Sequence, residues 1–227
     1  MHKLTELIQK DMKPALGVTE PGAIAFAVAA ARERVSGNVT RVKVGLNSGM
    51  YKNAFTCGIP NSEQYGNLYA AALGAVAADA SLGLESLADI TEEDNARARE
   101  LVEQGMIEVF LDHMGSYITI DAAVYTEEEE CVVHIRGNHT KIQWIEKNGV
   151  VVEGEAKAGL PEAGEDDQEI PEIHRHSLAE ILTYIETVGL DEIRFIQQAF
   201  DMNLELLKEG LDSEKTTFGP MLYKENG

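Results

Sequence analysis

The chain has 227 residues, a hydrophobic content of 44% and a formal net charge of −20 at pH 7. This length and apolar content predict one large or two small folded domains and exclude a chain that is disordered throughout. The acidic charge argues against a nucleic-acid partner, because phosphate binding needs clustered Lys and Arg. The longest apolar-rich stretch, residues 22–31, is far shorter than the roughly 20 residues that cross a bilayer. We therefore expect no membrane segment and no secretory signal, and the predicted location is the cytoplasm.

The chain opens with a predicted pair of helices. Apolar residues at helical spacing indicate an amphipathic helix over residues 5–16. Gly17 allows a turn, and Thr19 is positioned to cap an alanine-rich helix over residues 22–34. Because small side chains let neighbouring backbones approach closely, this second helix is expected to be buried.

A strand, a loop and two more helices follow. Alternating side chains predict a strand over residues 39–46. Residues 47–66 contain many turn-forming residues and are predicted to form a long loop, which in compact domains is often functional. A second alanine-rich helix is predicted over residues 67–80, and Thr91 is predicted to cap a third helix that ends near Gly105.

The middle of the chain changes to a period of two, which is typical of strands. The predicted strands cover residues 106–111, 117–125, 131–136, 141–147 and 150–153. Asn148 and Gly149 form a strong hairpin signal between the last two strands. We expect an antiparallel meander with helices on one face.

The carboxy-terminal part returns to helices. Residues 154–172 are acidic and rich in Gly, Ala and Pro, which indicates a linker or surface loop. Ser177 begins a capping box for a helix that stops at Gly189. A last helix is predicted over residues 191–207, whereas residues 212–227 have little periodicity and look as if packing partners were missing.

Neither the cysteines nor the histidines have the spacing of a metal site. Cys57 and Cys131 are the two cysteines, and two buried free thiols are the expected state in a cytosolic chain of this size. The histidines at 134, 139, 174 and 176 do not define a ligand set. We predict no metal ligands in this chain.

The segment from Lys13 to Gly22 is a glycine turn that leads into a helix start. Backbone N–H groups at residues 19–22 can hold an anion such as a substrate carboxylate, with Lys13 nearby. The alternative is an ordinary capped helix, since most helix starts bind nothing.

Five segments, taken together and in this order, resemble one known family. They are Lys13-Pro14-Ala15-Leu16-Gly17-Val18-Thr19-Glu20-Pro21, residues 48–53 with 57–60, residues 70–75 with 83–85, Gly137-Asn138-His139-Thr140, and Ser177-Leu178-Ala179-Glu180-Ile181-Leu182. They are similar to motifs of the L-cysteine desulfidase family, which is related to the α chain of iron–sulfur L-serine dehydratases. The similarity covers residues 13 to about 210.

The resemblance implies a lyase that eliminates sulfide from L-cysteine, or water from L-serine, to give pyruvate and ammonia. In such enzymes a [4Fe–4S] cluster with an open iron site acts on the leaving group. Carried over to this sequence, the predicted substrate-binding residues are Lys13, Thr19, Glu20, Lys52, Asn53 and His139. The resemblance identifies no catalytic base in this chain.

The sequence departs from the family pattern at three points. Val18 stands where the family has a cluster cysteine, and an aliphatic side chain cannot ligate iron. The family's other cluster cysteines lie in a second half, and residues 61–66 replace a Gly-Thr-Gly segment. We therefore expect no cluster in this chain alone. A second-half segment, another subunit or a homo-oligomer is the expected partner, beside a small amino-acid substrate.

The sequence thus predicts an α+β protein, with an alanine-rich helical layer and an inserted antiparallel sheet lobe covered by helices. The predicted divisions are the helical part of a catalytic-type domain at 1–83, an α/β lobe with the acidic linker at 84–188, and a carboxy-terminal helix and tail at 189–227. Two functions remain open. One is the amino-acid lyase, incomplete or inactive as this chain alone. The other is a non-catalytic protein that binds a small carboxylate or a partner protein.

Overall fold

The computed structural model describes residues 1–12, 14–156, 172–212 and 218–226. The chain divides into two compact units, one made of Met1–Pro14 with Asp167–Gly227 and the other of Ala15–Asp166. The three parts predicted from the sequence, residues 1–83, 84–188 and 189–227, were defined by function, so these boundaries stay a prediction. Most of the predicted acidic linker, residues 157–171, lies outside the described residues.

Helices and strands alternate irregularly along the chain. The helices are α1 (Lys3–Asp11), α2 (Thr19–Arg32), α3 (Ser48–Ala54), α4 (Gly66–Val76), α5 (Glu92–Glu103), α6 (Leu178–Thr187), α7 (Leu190–Ile193), α8 (Ile196–Asp212) and α9 (Phe218–Asn226). The strands are β1 (Arg41–Asn47), β2 (Ile107–His113), β3 (Thr119–Tyr125), β4 (Glu130–Arg136), β5 (Ile142–Lys147) and β6 (Val150–Gly154). Short 3-10 helices cover Ala80–Glu85 and Glu172–Arg175. Within the described ranges, no helix is both long and apolar enough to span a bilayer.

The six strands form one mixed sheet in the order β2-β1-β3-β4-β5-β6. Only the pair β1–β2 is parallel, with Val44 opposite Val109, and the other pairs are antiparallel. The expected wholly antiparallel meander is therefore wrong for β2, which joins the sheet at the far side of β1. A parallel neighbour needs a long crossover, and α3, α4 and α5 supply it. The predicted α+β class, with alanine-rich helices beside a helix-covered sheet, is confirmed.

Close packing of α2 and α4 covers one face of the sheet. Residues 21–31 of α2 are all buried, and alternate side chains of β1, β3 and β4 pack beneath the helices. A Cβ on Gly74 would lie 2.7 Å from the carbonyl oxygen of Ala25, so α4 approaches α2 at a point where only glycine fits. Cys131 belongs to this core and is fully buried.

Local capping signals fixed the starts of two helices. Thr91 and Ser177 each form the predicted capping box, with Asp94 and Glu180 respectively. The predicted loop over residues 47–66 is wrong at its start, where α3 forms. Met50 and Ala54, four residues apart, are the buried positions of α3, so tertiary packing stabilises a helix that its composition does not favour.

The unit that contains both ends of the chain has almost no interior. Among its described residues, only Leu4, Thr5 and Tyr184 are buried. The Thr5 hydroxyl lies 2.8 Å from the Tyr184 hydroxyl and donates to the Glu192 carboxylate at 2.6 Å. The tail that was predicted to lack periodic structure contains α9. This unit is held by a few polar contacts and exposes most of its apolar side chains.

Candidate functional site

The candidate site begins at the first turn of α2. The prediction that Thr19 caps this helix is wrong, because Val18 occupies the N-cap and Thr19 is the first helical residue. A valine side chain has no acceptor, so Val18 makes no side-chain cap hydrogen bond. Pro21 lies in the first turn, where its missing N–H costs nothing. The helix start therefore has backbone N–H groups that its N-cap side chain does not satisfy.

Glu20 places a carboxylate at this helix start. The side-chain amide of Asn53 donates to Glu20 Oε1 at 2.8 Å, and the Thr19 hydroxyl donates to Oε2 at 3.2 Å. Burial opposes ionisation, but the hydrogen bonds from Asn53, the Glu20 backbone N–H and Thr19, together with nearby His139, hold the pKa of the Glu20 carboxyl below its ordinary value. Glu20 is therefore an anion at neutral pH.

His139 reaches the same place from the turn between β4 and β5. Its Nε2 lies 3.5 Å from the Thr19 hydroxyl oxygen, although the two residues are 120 positions apart in the sequence. Its position next to the Glu20 carboxylate makes it a second polar group of the site, with a ring nitrogen that can donate or accept according to its tautomer.

Helix α3 supplies the third segment, and the end of β1 fixes its start. Asn47 donates to the Gly115 carbonyl at 2.9 Å and accepts from the Thr119 backbone N–H at 3.1 Å. Asn53 projects from this helix to Glu20, whereas the Lys52 side chain is exposed and makes no hydrogen bond or ion pair with any described residue. The Lys52 ammonium is therefore not committed to a structural pair.

The sequence analysis missed Cys57 as a member of this group. Its thiol donates to the backbone oxygen of Asn53 at 2.7 Å. Burial, and next the Glu20 carboxylate, raise the pKa of the Cys57 thiol. Cys57 lies beyond the end of α3 and its partner is a backbone oxygen, so no side-chain pattern in the sequence indicates this contact.

The structure thus brings together Thr19, Glu20, Asn53 and His139, which are four of the six residues predicted from the sequence. Lys52 lies directly before Asn53 on the same short helix. Lys13 lies outside the described residues. The group offers an ionised carboxylate, an amide, a hydroxyl and an imidazole, which suit a ligand with an ammonium group and further hydrogen-bonding atoms.

The thiols of this chain do not fit a [4Fe–4S] cluster, which takes three or four cysteine ligands. Val18 has no donor atom, and Cys131 is enclosed in the core beneath α2. Cys57 is the one thiol beside the candidate site, and its pKa is raised instead of lowered. Across the part of the chain that the structure describes, no three His, Cys, Asp or Glu side chains are grouped to hold a metal ion.

A separate polar cluster lies on the opposite face of the sheet, away from α2. His134 Nδ1 is 2.6 Å from Asp121 Oδ1, and Arg136 forms an ion pair with the same oxygen at 2.7 Å. The His134 ring stacks on Trp144 with centroids 4.1 Å apart, and the Arg136 guanidinium lies 4.8 Å from the Trp144 ring centroid. Burial opposes ionisation of Asp121, but His134 and Arg136 hold the pKa of its carboxyl below its ordinary value. The contacts among these side chains stabilise this face of the sheet, although the buried His134 Nε2 atom makes no hydrogen bond and lies 3.6 Å from Glu146 Oε1.

Comparison with known proteins finds relatives that are about twice as long. The chain is 32% identical over 226 residues to a UPF0597 protein of Clostridium botulinum (strain Langeland), covering 97% of this chain and 52% of the relative. It is 36% identical over 205 residues to the UPF0597 protein YhaM of Salmonella gallinarum, covering 90% of this chain and 47% of that protein. The chain thus spans about half the length of the curated relatives it matches, and their names state no reaction. No family model matches the chain. No solved structure matches it.

Proposed function

We propose that this chain is the substrate-recognition part of an amino-acid lyase of the L-cysteine desulfidase and L-serine dehydratase α-chain type. The reaction would be elimination from L-cysteine or L-serine to pyruvate and ammonia. The observation that carries the proposal is the convergence of Thr19, Glu20, Asn53 and His139 from three distant segments. Each of these residues lies in a segment that resembles a motif of the family.

The charges of the site suggest how an amino acid would lie in it. Glu20 already supplies a carboxylate at the start of α2, so a substrate carboxylate placed against it would be repelled. The substrate ammonium suits this position better, because the Glu20 anion is held by Asn53 and Thr19. Lys52 is then the group proposed to meet the substrate carboxylate, with His139 contacting a polar atom of the substrate. No residue of this chain is assigned as the base that removes the Cα proton.

The cofactor and the partner follow from the family resemblance. A [4Fe–4S] cluster would supply the electrophile for the leaving group, and the ligands for it would come from outside this chain. The partner proposed is therefore a second-half segment or another subunit that carries cysteines. The proposed location is the cytoplasm, where free thiols such as Cys57 and Cys131 stay reduced.

The second candidate function is binding of a small amino acid or carboxylate without catalysis. Val18 favours binding without catalysis, because this side chain gives no ligand at the position of the family's first cluster cysteine. The two candidates share the recognition step and differ in turnover.

Thermal unfolding with added amino acid tests the recognition step. At a free ligand concentration of 10 times Kd, binding stabilises the folded chain by about 1.4 kcal/mol, which raises Tm by about 3–6 °C in a protein of this size. We expect this shift with L-cysteine or L-serine. Glu20→Gln should remove it, because the neutral amide no longer pairs with the ammonium, while Glu108→Gln, an exposed carboxylate on β2, should retain it.

The absence of a shift at millimolar ligand, or an equal shift in Glu20→Gln, would count against the site. Pyruvate release separates the two candidate functions once the cysteine-bearing partner is supplied. Binding with no pyruvate under that condition favours the non-catalytic protein.

A further inference from the structure

Helix α8 has one polar side and one apolar side along its whole length. The polar side carries Gln197, Gln198, Asp201, Glu205, Lys208 and Glu209. The other side carries Ile196, Phe200, Leu204, Leu207 and Leu211, which we call the α8 apolar face. The spacing of these five residues keeps them in one stripe of the helix. None of the residues of α8 is buried, and Phe200 and Leu207 are 61% and 54% exposed.

Helix α9, the neighbour of α8, also exposes apolar side chains. It packs against α8, and it carries the exposed side chains of Phe218, Met221 and Leu222 at a spacing of three and four residues. Soluble monomers seldom leave an apolar stripe of a helix exposed unless it binds something. Because the described residues of this unit form almost no core, these side chains are available to a second polypeptide.

We propose that the α8 apolar face binds the polypeptide that corresponds to the half of the UPF0597 relatives that this chain does not match. The matched part takes up 52% of the Clostridium botulinum relative and 47% of YhaM. The unmatched part is therefore about as large as this chain, and in the relatives the same backbone tethers it to the matched part. This inference rests on the second polypeptide in the proposed function and is independent of the lyase chemistry.

Charge argues against a second copy of this chain as the occupant. Asp201, Glu205 and Glu209 line the polar side of α8, with Lys208 as the one basic side chain of the helix. Two copies of this chain that meet through their α8 apolar faces would bring together two chains that each have a net charge of −20. A less acidic partner that lays apolar helix side chains on the stripe reduces this repulsion.

Co-expression tests the proposal. The complete 227-residue chain, carrying a tag, is expressed with the unmatched half of the Clostridium botulinum (strain Okra / Type B1) relative without a tag. We expect the untagged half to co-purify in equal amount. Hydrogen exchange of the α8 amides should slow in the complex relative to the chain alone, because their side chains become buried.

Three variants localise the contact. Phe200→Asp and Leu207→Asp place a charge on the apolar stripe and should weaken association by about 30-fold each, the effect of losing a central interface residue. Gln198→Asp adds the same charge on the polar side of the same helix and should leave association unchanged. Since Phe200 and Leu207 are exposed in the chain alone, its unfolding midpoint should not fall in either variant.

Several results would overturn the proposal. One is failure of the untagged half to co-purify with the unmodified chain. Another is equal co-purification with Phe200→Asp and Leu207→Asp. A third is a dimer of the chain alone that these two variants dissociate, because the occupant would then be a second copy. A complex that forms as expected but releases no pyruvate supports this inference and counts against the lyase, so the two failures are distinguishable.

Discussion

Replacement of Asp121 by asparagine tests the polar cluster on the uncovered face of the sheet. The Asp121 carboxylate interacts with His134 at 2.6 Å and with Arg136 at 2.7 Å, and its side chain is 31% exposed. Asparagine keeps an acceptor oxygen but loses the charge. A hydrogen bond to a charged group contributes about 1.5–3 kcal/mol, so Asp121→Asn should lower the free energy of unfolding by about 2 kcal/mol at pH 7.

The pH dependence of this difference follows from the direction of the pKa shift. Burial opposes ionisation, but His134 and Arg136 hold the pKa of Asp121 below its ordinary value in the folded chain. A carboxylate of this kind contributes its full stabilisation above the unfolded pKa of about 3.9 and loses it as the pH falls through the lower folded pKa. The deficit of Asp121→Asn should therefore be constant from pH 7 to about pH 5 and shrink below about pH 4.

Trp144 provides the assay, because it is the only tryptophan of the chain and stacks directly on His134. Its fluorescence reports urea unfolding of the unit that contains the sheet. With an m value of about 2 kcal/mol per molar urea, the expected deficit shifts the midpoint by about 1 M. Glu108→Gln removes a carboxylate on the same sheet whose ion pairs with Arg41 and Lys43 are exposed to water, so it should shift the midpoint much less. A deficit that persists undiminished at pH 3, or an equal shift in Glu108→Gln, would refute the assignment of this stabilisation to the Asp121 charge.

Two further predictions concern the helix pair and the thiols. Gly74→Ala should destabilise the sheet-containing unit by about 1–3 kcal/mol, because its Cβ would meet the Ala25 carbonyl, whereas Gly17→Ala has open space and should not. Unchanged urea unfolding of Gly74→Ala would contradict the close approach of α2 and α4. A thiol reagent should modify Cys57 in the folded chain and Cys131 only after unfolding, since Cys131 is enclosed. The rate at Cys57 should keep rising above about pH 8.5, and Glu20→Gln should accelerate it at pH 7.5, because burial and then the Glu20 carboxylate raise the pKa of this thiol. A modification rate that levels off below pH 8 would contradict a raised pKa of the Cys57 thiol.

Local signals explain why many elements were predictable. The capping boxes at Thr91 and Ser177 need only side chains three residues apart, so the sequence contains the whole interaction. The period of two in β4 reports burial of one face, and the hairpin at Asn148 and Gly149 sets the neighbour of β5. These features require no knowledge of distant residues.

Long-range pairing was not predictable in the same way. The pattern of β2 marks it as a strand but does not say which strand lies beside it, and β1 is its parallel partner across three helices. Helix α3 forms because Met50 and Ala54 are buried by other elements, which its glycine and polar residues do not reveal. The prediction of Thr19 as the N-cap of α2 was wrong for a similar reason. A threonine before an alanine-rich run is typical of an N-cap, but the backbone places Val18 at the N-cap position.

In the candidate site, sequence motifs indicate single residues, and the fold determines which of them are neighbours. The motifs selected Thr19, Glu20, Asn53 and His139 one by one, and only the fold makes them neighbours. Cys57 was missed because its link to the group is a hydrogen bond to the Asn53 backbone, which no motif specifies. The sequence thus predicted residue types for recognition, while the geometry added the anion at Glu20 and its polar surroundings.

Packed helices and a sheet hold the residues of the candidate site in place. Glu20 begins a helix whose residues 21–31 are all buried, and α3 starts where Asn47 is fixed by two hydrogen bonds. His139 follows directly from a strand end of the same sheet. Groups held by a packed helix and a sheet keep their positions without a ligand, so little ordering remains to oppose binding. Amino-acid recognition should therefore persist in the chain alone, whereas turnover should require the polypeptide that brings the cluster ligands.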